Sequence, residues 1–111
     1  MCAPSVDELI ALFEADVSSR AKSVESADDV LALMGFIQGE YLLDCAAVEA
    51  LTEGQTLHSD DQRSGFSVDE LKELAQARKD AFDDYNDSLP SMGYHKLASI
   101  DARLELKENV V

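Results

Sequence analysis

LALMGFIQGEYLLDCAAVEAL, residues 31–51, is the stretch whose reading decides the fold. On a helix its apolar residues, Leu31, Leu33, Met34, Phe36, Ile37, Tyr41, Leu42, Leu43, Cys45, Val48 and Leu51, cover most of the circumference. A helix of this kind is usually the central one, touched on several sides. Ser26 stands ahead of it as an N-cap, with Asp28 and Asp29 placed where the helix dipole favours negative charge, and Gly54 stands where it should stop. The expected helix therefore runs from about residue 26 to residue 53. Gly35 and Gly39, one turn apart and followed by Ala46 and Ala50, either let another helix approach closely or mark a kink or break, and the sequence leaves both open.

Outward from this centre, the pentapeptide SVDEL occurs twice, at residues 5–9 and 67–71. Each copy is an S-x-x-E capping box, Ser5 with Glu8 and Ser67 with Glu70, so the repeat reads as a helix start used twice. After Ser5, the apolar positions Val6, Leu9, Ile10, Phe13, Val17 and Val24 recur at helical spacing and predict a first helix over residues 6–23. After Ser67, the stripe Val68, Leu71, Ala75, Phe82, Tyr85 and Leu89 predicts a third helix over residues 68–88, limited by Pro90. Arg78 lies in that stripe, where its stem can cover apolar surface while the guanidinium reaches a carboxylate. The polar connection of residues 54–66 is longer than most helix links and reads as the flexible segment. Residues 97–108 are ambiguous: Leu97, Ile100 and Leu104 have helical spacing whereas RLELK alternates, and helix is favoured because Ala, Leu, Glu and Lys dominate. The expectation is a single all-α domain over residues 1–111, a small bundle of about four helices around a long central apolar one.

Composition agrees. A chain of 111 residues with 46% hydrophobic residues, two prolines and five glycines suits one small, unaided helical core. Cys2 and Cys45 form no C-x-x-C pair, the N-terminus resembles no secretory leader, and no uninterrupted apolar run approaches about 20 residues. These features favour a reduced, cytoplasmic setting and no membrane.

Catalytic and cofactor motifs are not evident, and no cofactor is expected. Asp60, Gln62, Ser64 and Gly65 imitate the start of an EF-hand loop, yet position twelve is Leu71 instead of a bidentate glutamate and position eight is Ser67. The residues three before His58 and His95 are Gln55 and Met92, so no Glu-x-x-His pair exists for a helical carboxylate metal site. A zinc site would need Cys2, Cys45, His58 and His95 to meet by tertiary coincidence. Glycine-rich phosphate loops and nucleophile elbows do not occur. Acidic pairs at helical spacing, Glu40 with Asp44, Glu49 with Glu53, and Asp80 with Asp83 and Asp84, suit a solvated or protein-binding face better than a magnesium site.

The net charge of −14 is the most unusual feature, and it is uneven: residues 1–62 carry 13 acids and two bases, residues 63–111 ten acids and seven bases. Between Lys22 and Arg63 lie nine acids and no Lys or Arg: Glu25, Asp28, Asp29, Glu40, Asp44, Glu49, Glu53, Asp60 and Asp61. Such a field repels nucleic acid and anionic membranes and attracts a basic protein. These nine form the expected partner-binding set, with Glu40, Asp44, Glu49 and Glu53 as a ridge along the central helix. The expected function is non-catalytic binding to a basic protein partner, in its most specific form as a nucleic-acid mimic that inhibits a nucleic-acid-handling protein. Two alternatives accompany it. One is a structural or assembly subunit, for instance of a phage or a large complex, that forms a homo-oligomer through helical apolar faces; the other is an immunity protein neutralising a basic toxin.

Overall fold

The computed structural model describes residues 5–97 and is all-helical over them. Helix α1 spans Val6–Lys22, α2 spans Ala27–Thr52, α3 spans Val68–Ser88, and a 3₁₀ turn at Pro90–Met92 follows. Three helices thus stand where about four were expected; the candidate fourth, residues 97–108, falls outside the described residues except for Leu97. The three helix starts and stops agree with the caps read from the sequence to within a residue or two.

Each start is fixed by a serine side chain. The Oγ atoms of Ser5, Ser26 and Ser67 accept from the backbone amides of Glu8, Asp29 and Glu70 at 3.2, 3.2 and 3.1 Å. At Ser67 the box closes, because the Glu70 carboxylate also accepts from the Ser67 amide at 3.0 Å. Helix α2 ends in a Schellman arrangement: Gln55 N–H donates to the Ala50 carbonyl and Gly54 N–H to that of Leu51. Gly54 needs a φ of +84° for this turn, which a side chain would oppose.

Helix α2 is about 39 Å long at 1.5 Å per residue and runs without interruption through Gly35 and Gly39. A Cβ at either glycine would meet nothing within 4 Å, so neither a break nor a close helix approach explains them among the described residues. The α2 and α3 contact is the most extensive, and α1 packs on both. The core joins Phe13 and Val17 of α1, Val30, Leu33, Met34, Ile37 and Tyr41 of α2, and Ala75, Phe82 and Leu89 on the α3 side. Leu71 and Leu74 are fully buried, each worth about 1.5–3 kcal/mol of transfer free energy. At the far end, Asn86 fastens the chain after the 3₁₀ turn: its Nδ2 donates to the Leu97 carbonyl at 3.0 Å and its Oδ1 accepts from the Leu97 amide at 2.8 Å.

By length and composition α2 is also apolar enough to cross a bilayer, with a mean hydropathy of 1.3 over an 18-residue window. The core helix of a soluble protein meets the same measure. One side of α2 belongs to the protein core, which holds Val30, Leu33, Met34, Ile37, Tyr41 and Ala47.

Because a Cβ at Gly35 or Gly39 would meet nothing among the described residues, Gly35→Ala and Gly39→Ala should each raise the unfolding free energy by about 0.5–1 kcal/mol in urea titrations, the helix-propensity gain. Ser67→Ala should lower it by about 1 kcal/mol.

Candidate functional site

The nine acids do not form one surface. Asp44 has no exposed area: it faces the core from the middle of α2 and its two carboxylate oxygens are shared between two arginines. Arg63 Nε donates to Oδ1 at 2.6 Å and Arg78 Nε to Oδ2 at 3.0 Å. Glu40, one turn earlier and half-buried, accepts from Arg63 Nη2 at 3.0 Å and lies 3.5 Å from Arg78 Nη2. Two acids and two bases therefore cancel inside the fold. Arg63 and Arg78 are only 4% and 3% exposed, and burial of such charges is tolerated only when they are paired and hydrogen-bonded.

Burial pushes the Asp44 carboxyl above the usual aspartate range, against the hydrogen bonds and charges of both arginines. Burial also works against the Arg63 charge, but its bonds to Asp44 and Glu40 outweigh that and hold the guanidinium above its ordinary value. The face of Arg78 covers the Phe13 ring at 4.3 Å, Phe13 lies 6.1 Å from Phe36 in a stacked pair, and Arg20 covers Phe36 at 4.0 Å. The expectation that Arg78 would cover apolar surface and reach a carboxylate matches this arrangement.

The assignment of Asp44 to a partner-contact ridge is thereby corrected. At 100° per residue, Glu40 and Asp44 lie on the side of α2 that faces α3 and the link, whereas Glu49 and Glu53 lie on the opposite, exposed side. The ridge is two separated pairs, one of them neutralised. Of the other candidates, Asp29 accepts from the Glu25 amide at 2.9 Å as part of the α2 start. Asp61 accepts from the Arg63 amide at 2.9 Å. Glu25, Asp28, Glu49, Glu53 and Asp60 are exposed. Arg63 also fastens the connection of residues 54–66 to α2, so this link is held at its C-terminal part while the stretch before it, residues 54–60, is mostly exposed.

The exposed side of α2 carries the arrangement that the sequence pattern concealed. Leu31, Gly35, Gly39, Leu43 and Ala46 follow one another along it, with Leu31 and Leu43 each 54% exposed, and Leu42, half-buried against the core, borders them. No charge interrupts them over about 24 Å of helix. Asp28 stands beyond one end and Glu49 and Glu53 beyond the other. An all-round apolar sequence hides such a face, because only the packing shows which side the other described residues leave uncovered.

Cys45 is half-buried in a shallow groove of about 360 Å³ with Tyr41, Val48, Lys72, Ala75 and Lys79, beside the core as expected of a small apolar residue. Among the described residues no three His, Cys, Asp or Glu side chains are placed to hold a metal ion together. Comparisons with protein-family models, curated proteins and solved structures give no match.

Asp44→Asn should lower stability by about 3–5 kcal/mol in chemical denaturation, because it leaves two buried guanidiniums undercompensated. Replacing the group together, as Asp44→Leu with Arg63→Met and Arg78→Met, should cost less than the single change. A triple variant less stable than Asp44→Asn would contradict this account of the cluster.

Proposed function

We propose that this chain is a non-catalytic binding module that takes up a basic protein partner through the exposed side of α2. The observation that carries the reading is the uncharged apolar face from Leu31 to Ala46 with acids standing at both ends. Apolar surface supplies contact area and the acids supply direction: charges at a rim act mainly on encounter rate and orientation, while the desolvated centre holds the complex. With −14 overall, the chain attracts cationic surfaces over a Debye length of about 8 Å at physiological salt. The narrower idea of a nucleic-acid mimic loses its best support once Glu40 and Asp44 are neutralised internally, since a phosphate-like row would need those charges outside.

Self-assembly is the second reading, and the same exposed leucines favour it. Electrostatics favour the first. A parallel pairing of two α2 faces brings Asp28 to Asp28, and an antiparallel one brings Asp28 to Glu49 and Glu53, in each case acid to acid between chains that already repel.

The test is affinity capture from lysate on immobilised protein, with salt-gradient elution, beside light scattering of the free chain. A monomer that retains a basic protein until moderate salt, and loses about tenfold of that retention in the Glu49→Lys, Glu53→Lys double variant, is the expected outcome. A stable dimer or higher oligomer at micromolar concentration, with retention unchanged in the double variant, would replace it with the assembly reading.

A further inference from the structure

Beyond a basic partner in general, the geometry points to the form of its contact element, and this inference rests on the reading above: we infer that the exposed side of α2 receives an amphipathic helix with an apolar stripe and cationic residues at both ends. The dimensions follow from α2 itself. Its uncharged face spans about 16 residues, and the distance from Asp28 to Glu53 is about 37 Å of helix axis, so the matching element is a helix of about 25 residues whose middle four to five turns are apolar.

The surface relief fits a helix better than a flat sheet edge. Among the described residues, Gly35 and Gly39 leave the centre of the face low, with only open space where a Cβ would stand, while the exposed Leu31 and Leu43 rise on either side. Two interior glycines cost helix stability, and neither is required by a neighbour among the described residues. A large apolar side chain on an incoming helix fits the low centre between the leucines, the ridge-into-groove arrangement by which helices pack. Charge complementarity selects the occupant. Residues 23–62 hold no Lys or Arg, so the acids at the ends of the face have no cation of their own on α2.

The probe is a fluorescent synthetic peptide of 25 residues with a leucine and isoleucine stripe over its central turns and Lys and Arg at both ends, titrated with the full chain by anisotropy. A scrambled peptide of the same composition and an acid-ended version serve as comparisons, and a photoreactive residue in place of Leu43 reports what lies on the face. The expected result is micromolar or tighter binding of the striped, base-ended peptide, at least tenfold weaker binding of the scramble, and a further tenfold loss in Leu43→Asp and Ala46→Asp chains that retain wild-type circular dichroism. Photoadducts should then join position 43 to the peptide. Equal binding of striped and scrambled base-ended peptides would overturn the helix dock while leaving the basic-partner reading in place. Equal binding of the acid-ended peptide would overturn both. No binding, photoadducts to a second copy or to the chain's own residues, or uptake by neutral phosphatidylcholine vesicles that Leu43→Asp abolishes would each overturn the inference.

Discussion

One carboxylate, that of Asp44, has no water to solvate it, and the arrangement of the fold follows from how that is answered. Two arginines from different parts of the chain must converge on it: Arg63 brings in the link and Arg78 brings in α3. Arg78 then offers its flat face to Phe13, which ties α1 to the same point, and the column continues through Phe36 to Arg20. All three helices and the connection between the second and third meet around a single side chain. Apolar burial supplies most of the stabilisation, as in any small domain. It does not by itself specify which of many apolar arrangements is chosen, and a buried acid that needs two bases at hydrogen-bonding distance discriminates sharply among them.

The same pairing redistributes the charge that dominates the sequence. Asp44 and Glu40 are the two acids nearest the middle of α2, and both are spent internally. What remains outside is concentrated at the two ends of the helix, with leucine, glycine and alanine between. The central helix of this strongly acidic chain therefore presents a segmented outer side, apolar at the centre and negative at its margins. The link is part of this arrangement, because its one deeply buried residue, Arg63, neutralises the helix it has just left.

Much of the fold is legible in the sequence because it depends on local rules. Serine caps, first-turn acids and a glycine after the last turn are short-range signals, and Ser5, Ser26, Ser67 and Gly54 each mark a boundary that the structure contains. The amphipathic stripe of α3 is legible for the same reason, including Arg78 within it. Leu74 and Asn86 escape it, since their burial depends on what stands opposite them. The candidate site is far less legible. Asp44 and Glu40 sit at the same spacing as Glu49 and Glu53, and helical periodicity gives each pair one face without saying which face meets α3. The partner that settles the matter, Arg63, is 19 residues from Asp44, in a stretch that looks like solvent-facing linker. An arginine amid polar turn residues carries no local mark of burial. Asp44 does carry one, since its neighbours at positions 41–43 and 45–48 are all apolar, and the spacing argument that placed it on an outer ridge does not weigh them.

The clasp between Asn86 and Leu97 recognises main chain only. A carboxamide has the same donor and acceptor as a peptide group, so Asn86 holds residue 97 as a neighbouring strand would, without reading its side chain. Evolution is then free to vary the residue at 97 so far as this clasp is concerned, while position 86 is confined to a side chain that can impersonate a peptide bond at that length. Constraint is thus split between two sources: the clasp fixes the side chain at 86, whereas the side chain at 97 answers only to the core it packs against.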